Sequence, residues 1–263
     1  MVMISKTWNL LPEEADTGYT TWKPNQNWQH GLMYRAMCYC KEFRVAIDVG
    51  AAYGATTIQL AKNFEEVYAI EMLPDLIPFL KKNTEKFDNI YYHNVAVGKK
   101  YSKHTFNYYP KYSGRSGKNS QRGNKYWQSL TAEDEIKLEL EVKPLKFLKE
   151  TPTWRNGANP TVIDLIKFDI EGSELYAIQG GASLIRTHSP VICIEVAPSS
   201  KSVIGSEFPK NGYFFEQVSK SLSSLGYAIV EKWRGDSIWV PLDRLNGRLN
   251  HALKERREFF SEW

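Results

Sequence analysis

The sequence predicts an α/β fold: a mostly parallel, seven-stranded sheet of the Rossmann-like type, with helices on both faces and a C-terminal antiparallel hairpin. Three observations support this prediction. Short β-branched strands alternate with helical segments from residue 43 onwards, which is typical of parallel α/β sheets. Acidic or amide residues end several of these strands. Near the C-terminus, two strand-like runs flank Arg234-Gly235-Asp236, as expected for a hairpin.

The first half of the predicted sheet alternates between strand and helix. The first strand, residues 43–48, leads directly into a glycine turn, and a helix is expected at 55–63. The second strand, residues 66–71, precedes a proline that favours the first turn of a new helix. That helix is predicted at about 75–86, and a third strand with its exit at 90–97.

The second half begins with a strand of a different character. Residues 136–142 alternate strictly between apolar and charged side chains, which predicts a half-exposed strand in a hairpin or at a sheet edge. The remaining predicted elements are a buried strand at 162–170, a helix at 173–184, a buried strand at 190–196, a helix at 214–225 and the hairpin strands at 227–233 and 237–240.

Composition divides the chain into three parts. Residues 1–42 are polar and aromatic and are expected to cover one edge of the main domain, which spans 43–241 and contains a basic insert at 98–135. The tail, residues 242–263, places leucines at helical spacing, which predicts a docked amphipathic helix. Since no run of about 18 apolar residues is present, we expect a soluble, cytoplasmic protein without a membrane span.

Positive charge is concentrated in the insert. The formal net charge is only +4, yet residues 99–125 contain eight Lys or Arg residues and no Asp or Glu. Aromatic side chains are interleaved with these cations, a composition that suits single-stranded nucleic acid but also sugars and anionic glycans. A solvated loop without a partner has the same composition. Our functional interpretation is a lid that closes over a binding site.

Polar side chains end five of the predicted strands, which places them together at the carboxyl edge of the sheet, where open α/β sheets bind ligands. Any one of them could instead cap the following helix, but their recurrence indicates a binding site. They are Asp48, Glu71, Asn94, Asp169 and Glu195.

The turn after the first strand indicates a nucleoside cofactor. Gly50 and Gly54 frame a turn in which absent side chains let the backbone approach a ligand. Glu71 lies 21 residues beyond Gly50, at the strand end where a carboxylate can accept both hydroxyl groups of a ribose. The turn lacks the three-glycine spacing that binds a pyrophosphate, which disfavours NAD. Asp48 would also repel a pyrophosphate but could help position a ligand that carries an amino group and a sulfonium.

Five motifs, in this order, resemble the FkbM-type methyltransferases. They are Asp-Val-Gly-Ala-Ala-Tyr-Gly (48–54), Ile-Glu-Met-Leu-Pro (70–74), Asn-Val-Ala-Val-Gly (94–98), Asp-Leu-Ile-Lys-Phe-Asp-Ile-Glu-Gly-Ser-Glu-Leu (164–175) and Pro-Val-Ile-Cys-Ile-Glu (190–195). The resemblance implies a class I methyltransferase fold, S-adenosylmethionine as the methyl donor and methylation of a hydroxyl oxygen. Ala52, where the family more often has Asn, and the long basic insert depart from the pattern.

The resemblance also assigns cofactor contacts. It implies a methionine-binding turn around Asp48, a ribose carboxylate at Glu71 and an adenine-side contact at Asn94. The full set of expected cofactor-binding residues is Asp48, Gly50, Ala51, Tyr53, Gly54, Glu71, Met72, Asn94, Val95 and Asp169.

The acceptor hydroxyl must lose a proton, and two arrangements could remove it. Asp169 or Glu171 could act as a general base, with His104 as a further base delivered by the insert. Alternatively, Asp169, Glu171 and Glu195 could hold a divalent cation that lowers the pKa of the acceptor. In a purely structural interpretation, Glu174 caps the following helix and Glu171 points to solvent.

Three hypotheses about the acceptor follow. The leading one is O-methylation of a sugar, a glycan or another small molecule, with Tyr109, Lys111 and Arg115 of the insert binding the acceptor. A second keeps the fold and the cofactor but makes RNA or DNA the acceptor, with the insert tracking phosphates. A third is an inactive methyltransferase-like module that only binds.

Overall fold

The structure is a computed structural model that describes residues 28–108, 136–151, 154, 162–170, 172–196, 214–233 and 236–245. Within these ranges the chain forms ten β-strands and five α-helices. The helices are α1 (Trp28–Cys38), α2 (Ala55–Ala61), α3 (Ile77–Asn83), α4 (Glu174–His188) and α5 (Phe214–Ser224). The strands are β1 (Val45–Val49), β2 (Glu66–Glu71), β3 (Ile90–Asn94), β4 (Ala96–Gly98), β5 (Ser102–Tyr108), β6 (Ile136–Pro144), β7 (Ile163–Phe168), β8 (Val191–Glu195), β9 (Tyr227–Trp233) and β10 (Asp236–Pro241).

Seven of these strands form one mostly parallel sheet in the order β3-β2-β1-β7-β8-β10-β9. Pairing is parallel from β3 to β8, whereas β10 is antiparallel to both β8 and β9. The chain builds outward from β1 to β3 and then returns to place β7 on the other side of β1. The order therefore reverses between β1 and β7, which is where such sheets bind ligands. The predicted fold class and hairpin are confirmed.

Helices cover both faces of this sheet. On one face, α4 and α5 pack over side chains such as Ile166 and Ile194. On the other face, α1, α2 and α3 pack over side chains such as Leu165 and Ile238. Because β7 is apolar on both faces over most of its length, it reads as a continuous buried run, as central parallel strands do.

A second sheet of three strands, in the order β4-β6-β5, corrects two expectations. The predicted third strand at 90–97 is divided, because Ile90–Asn94 joins the large sheet while Ala96–Gly98 pairs with β6. Part of the insert, Ser102–Tyr108, is a strand that pairs antiparallel with β6, although the sequence was interpreted as a loop there. Residues 109–135 lie outside the described part of the chain.

A contact between two glycines joins this second sheet to α4. A Cβ atom on Gly180 would lie 2.0 Å from the carbonyl oxygen of Gly98, far inside van der Waals contact. Gly181, the next residue of α4, faces Leu145 at a distance that leaves little room for a side chain. The end of β4 therefore lies directly on the backbone of α4.

The two ends of the predicted domain are described only in part. Helix α1 packs on the large sheet through Leu32, Met33, Ala36 and Met37, while residues 1–27 lie outside the described ranges. The tail is described to residue 245 and begins with a 3-10 turn at Leu242–Arg244; the predicted helix beyond it is untested. Among the described helices, none has the length and apolar character needed to cross a bilayer.

Candidate active site at the carboxyl edge of the large sheet

The glycine turn lies at the point where the strand order reverses. Gly50 has a φ of +84°, and its N–H donates to the carbonyl of Ile70 at 2.9 Å. A Cβ atom at Gly50 would lie 1.9 Å from the carbonyl oxygen of Asp169. Glycine is required here by the backbone conformation and by the end of β7, in addition to the predicted approach of a ligand.

The rest of the turn continues in the left-handed region. Ala52 has a φ of 46° and Gly54 a φ of 91°, and α2 begins directly after Gly54. Asn adopts left-handed conformations more readily than Ala, which gives a physical reason for the asparagine that is more usual at position 52. Tyr53 is buried, packs against Phe79 and accepts a hydrogen bond on its carbonyl from Asn83.

Glu71 points at the glycine turn, as the cofactor prediction requires. Its Oε2 accepts from the backbone N–H of Ala52 at 2.9 Å, and its Oε1 accepts from that of Leu73 at 2.8 Å. Burial raises the pKa of Glu71, while these two hydrogen bonds lower it. Each carboxylate oxygen carries a further lone pair, so the group can accept additional hydroxyl donors.

Lys167, which the sequence analysis did not single out, lies between the glycine turn and Asp169. Its Nζ is 3.4 Å from Oδ1 of Asp48 and 3.2 Å from Oδ2 of Asp169, and it donates to the carbonyl of Gly50 at 3.3 Å. A lysine near the carboxyl end of a strand that is mostly apolar was the available signal. The motif match included this residue without giving it a role.

Asp48 lies beneath the turn. Its side chain is completely buried and its Oδ2 accepts a hydrogen bond from Thr57 at 2.7 Å. Burial raises the pKa of Asp48, and the charge of Lys167 and the Thr57 hydrogen bond oppose this shift. Asp48 therefore contacts Thr57 of α2 and Lys167 of β7, and its predicted influence on a ligand stays a prediction.

The structure describes two of the three carboxylates that were predicted to hold a metal ion, Asp169 and Glu195. Asp169 is partly open, with 22% of its side chain exposed, and Glu195 ends β8 at the same edge. Glu171 lies outside the described residues. Within the described part of the chain, no group of three or more His, Cys, Asp or Glu side chains is arranged to hold a metal ion. The three-carboxylate metal hypothesis, which includes Glu171, stays a prediction.

Glu174 holds the turn that precedes α4. Its Oε1 accepts from the backbone N–H groups of Ile170 and Gly172, both at 3.1 Å, so it stabilises the turn between β7 and α4. The helix cap position is Ser173, which makes no side-chain cap hydrogen bond. Burial raises the pKa of Glu174 to about 7 despite these hydrogen bonds.

The sequence analysis missed a second site residue, the carboxylate of Asp236, because it assigned this residue to the hairpin turn. It is the first residue of β10 and pairs with Glu195. Together with Lys167 and Glu195 it lines a small cavity that α1 covers with Leu32 and Met33. Its Oδ2 is buried and has no hydrogen-bond partner among the described residues. Burial, assisted by the charge of Asp169, raises the pKa of Asp236 to about 7.

The other predicted site residues are divided between the two sheets. Asn94 donates from its amide to the carbonyls of Glu71 and Met72, and Val95 donates to the Glu71 carbonyl, so these residues lie beside the turn. His104 is exposed on β5, where its ring contacts Phe106; within the described residues no contact brings it to Asp169. Tyr109, Lys111 and Arg115 lie outside the described ranges.

Comparisons with known proteins were made for sequence and for structure. A search of curated protein sequences gives no match. Among solved structures, methyltransferase FkbM from Methylobacillus flagellatus is 19% identical with a TM-score of 0.45; the alignment covers 75% of this chain and 43% of that one. The present chain thus spans less than half the length of that protein.

Two further solved structures are similar to this chain at a comparable level. Fibrillarin from Aeropyrum pernix, with bound S-adenosyl-L-methionine, is 12% identical with a TM-score of 0.42, and the alignment covers 80% of this chain and 73% of that one. Precorrin 8w decarboxylase from Methanobacterium thermoautotrophicum is 16% identical with a TM-score of 0.42, with 88% and 98% covered.

The family follows from the sequence. The model of the methyltransferase FkbM domain matches residues 48–229, a range that runs from the end of β1 into β9 and includes the glycine turn, Glu71, Lys167 and Asp169. That range is well over half of the chain. The chain therefore belongs to the FkbM methyltransferase domain family.

Proposed function

We propose that this methyltransferase transfers a methyl group from S-adenosylmethionine to a hydroxyl oxygen of a sugar, a glycan or another small molecule. The observation that carries the proposal is the Glu71 carboxylate, which reaches across to the Ala52 N–H at 2.9 Å. A carboxylate beside a left-handed glycine turn, at the end of the second parallel strand, is the arrangement that holds a nucleoside ribose.

The charge of the site suits a cationic donor. Among the described side chains at this edge, Lys167 lies amid a larger number of carboxylates, and its charge lowers the pKa of Asp48, Glu71 and Asp236. An excess of negative charge favours a ligand that bears a sulfonium and an ammonium group over one that bears a pyrophosphate. The residues present therefore fit S-adenosylmethionine, which when bound supplies a methyl group already activated by the sulfonium.

What remains for the protein is alignment, exclusion of water and removal of a proton. Glu71 would orient the ribose hydroxyls, and the turn from Gly50 to Gly54 would hold the amino-acid end. Asp169 is partly exposed and its Oδ2 is held by Lys167 at 3.2 Å, so its other oxygen, Oδ1, can face an acceptor hydroxyl and accept its proton. Helix α1 lies over the cavity beside it and would help to exclude water.

The proposal is tested by calorimetric titration of the protein with S-adenosylmethionine and, separately, with NAD. We expect binding of the first and none of the second. Incubation with S-adenosylmethionine and a panel of sugars, glycans and phenols should then add one methyl mass to an acceptor, detected by mass spectrometry. NAD binding without S-adenosylmethionine binding would contradict the proposal, whereas donor binding without any transfer would indicate a binding module.

The acceptor class is tested with a labelled single-stranded oligonucleotide. In the described part of the insert, Lys103 forms an exposed ion pair with Glu139 of β6, so this lysine already has a carboxylate partner in the protein. We expect no binding that falls steeply with salt concentration. Salt-dependent binding that is lost when Lys111, Arg115 and Lys118 are replaced by Ala would instead support nucleic-acid methylation.

A further inference from the structure

A buried lysine connects the glycine turn to the end of the neighbouring strand. The Nζ atom of Lys167 lies between 3.2 and 3.4 Å from three oxygens, which belong to Gly50, Asp48 and Asp169. An ammonium group has three hydrogens to donate, so it can serve more than one of these oxygens at the same time. Since only 11% of the side chain is exposed, these contacts are made largely away from solvent.

This lysine is costly for folding, so its presence calls for a reason. Residues 165, 166 and 168 of the same strand are apolar and fully buried, and an aliphatic side chain at 167 would avoid the desolvation of a charge. Two of the three oxygens belong to groups that bound the candidate cofactor site. They are the carbonyl of Gly50, in the turn, and the partly exposed carboxylate of Asp169.

Both groups are acceptors, and each of their oxygens has a second lone pair. The Gly50 carbonyl belongs to a backbone in a left-handed conformation, and Asp169 follows the last residue of β7. Neither position is fixed by regular secondary structure alone. A common donor that contacts both of them sets the distance between them.

We propose that Lys167 is a positioning residue, which holds the Gly50 carbonyl and the Asp169 carboxylate at the spacing that receives the ammonium group of the donor's amino-acid end. The inference rests on the proposed function and names how the same site recognises one end of the donor. Lys167 acts through the two acceptors and does not itself contact the carboxylate of the donor. The effect of removing it is therefore specific to ligands that carry an ammonium group.

Calorimetric titrations with three ligands test whether Lys167 affects recognition of the ammonium group, of the carboxylate or of neither. S-adenosylhomocysteine carries both the ammonium and the carboxylate, its decarboxylated analogue carries the ammonium alone, and methylthioadenosine carries neither. For Lys167→Met we expect dissociation constants about tenfold higher for the first two ligands, since one hydrogen-bonded charge interaction is weakened. For methylthioadenosine we expect a change of less than about twofold.

Two further variants protect the experiment against loss of folding. Lys167→Met leaves the buried Asp48 with the hydrogen bond from Thr57 but without the neighbouring cation. The double variant Asp48→Asn with Lys167→Met removes the charge of Asp48 as well and should show the same ligand pattern. Lys143→Met is the matched control, because Lys143 is also a strand lysine paired with a carboxylate, Glu141, in the second sheet. It should bind all three ligands as the wild type does.

The outcomes are distinct. An equal loss for methylthioadenosine would mean that Lys167 only supports the fold, and a loss confined to S-adenosylhomocysteine would mean that it binds the carboxylate directly; either overturns the inference, as does unchanged binding of all three. A wild-type protein that binds none of the ligands would contradict the proposed function itself and the inference with it.

Discussion

Individual buried carboxylates at the two edges of the large sheet differ in how completely they are hydrogen-bonded. At the amino edge, the buried Asp164 accepts three hydrogen bonds from Arg44, one from the backbone N–H and two from the guanidinium, at 2.6 to 3.0 Å. At the carboxyl edge, the buried oxygens Oε2 of Glu174 and Oδ2 of Asp236 have no hydrogen-bond partner among the described residues.

This difference separates a structural charge from a functional one. A buried carboxylate whose lone pairs are filled by one bidentate arginine contributes to the fold and offers little to a ligand. Buried carboxylates with unfilled acceptors are costly, and burial raises the pKa of Glu174 and of Asp236. Incomplete hydrogen bonding at the carboxyl edge is thus consistent with a site that a ligand completes.

Gly50→Ala tests whether the carboxyl edge of the sheet tolerates a side chain at the glycine turn. We expect this variant to lose the most stability. The new Cβ would lie 1.9 Å from the carbonyl oxygen of Asp169, at a φ of +84°. We expect a loss of about 4 kcal/mol in the free energy of unfolding, because both strain and a backbone clash must be relieved. Chemical denaturation measures it.

Gly226→Ala is the matched control for this variant. Gly226 has the same φ of +84°, but nothing lies within 4 Å of a Cβ atom built there. The left-handed conformation alone should cost about 1 kcal/mol. Equal losses in the two variants would show that contact with Asp169 contributes nothing.

Arg44→Met removes the ion pair with Asp164 at the amino edge of the sheet. It leaves Asp164 fully buried without its guanidinium partner, which should lower the free energy of unfolding by about 3 kcal/mol; the half-exposed position of Arg44 keeps the loss at the lower end. Titration with S-adenosylmethionine at a temperature where the variant is folded should give wild-type affinity. A large loss of affinity would remove the distinction between the two edges.

Asp236→Asn tests, through the pH dependence of stability, whether this buried carboxyl group is protonated at neutral pH. Burial raises the pKa of Asp236 to about 7, against about 3.9 in an unfolded chain. The folded protein therefore retains this proton to a higher pH, and the wild type loses stability as the pH rises from about 4 to about 7. Between pH 5 and pH 8, the free energy of unfolding of the variant should improve relative to the wild type by about 2 kcal/mol.

Asp243→Asn, at an exposed position of the same C-terminal segment, is the control and should parallel the wild type at every pH. Denaturation curves at several pH values provide the measurement. A difference between Asp236→Asn and the wild type that does not vary with pH would mean that Asp236 is ionised throughout.

Glu71→Gln should have the smallest free-energy effect but a selective one. Its amide would present a donor where the structure needs an acceptor for the N–H of Ala52 or Leu73. We expect S-adenosylmethionine to bind about tenfold more weakly, measured by calorimetry. Glu66→Gln, at the opposite end of the same strand, should leave the affinity unchanged.

Local patterns predicted most of the large sheet, because most of its strands are short apolar runs with a clear boundary. The second strand was placed at its observed bounds, Glu66–Glu71, and the hairpin strand Tyr227–Trp233 likewise. Strand β5 was missed, because its residues are mostly polar and its pairing partner β6 is distant in the chain. No local signal carries such a pairing.

The site was predicted less completely than the fold. Glu71 and the glycine turn were identified because their spacing is local and typical of a nucleoside site. Lys167 and Asp236 were not, because their importance arises from burial and from neighbours on other strands. A sequence shows which residues end a strand, but not which of their oxygens will be left without a donor.

The contact between Gly98 and Gly180 couples two parts of the chain that are far apart in sequence. Because the backbone of one rests on the backbone of the other, even a single methyl group on α4 at this point would push the small sheet away. Exchange of the insert between related proteins should therefore succeed only when the matching helix is transplanted with it, because the small sheet and α4 have to fit each other at this contact.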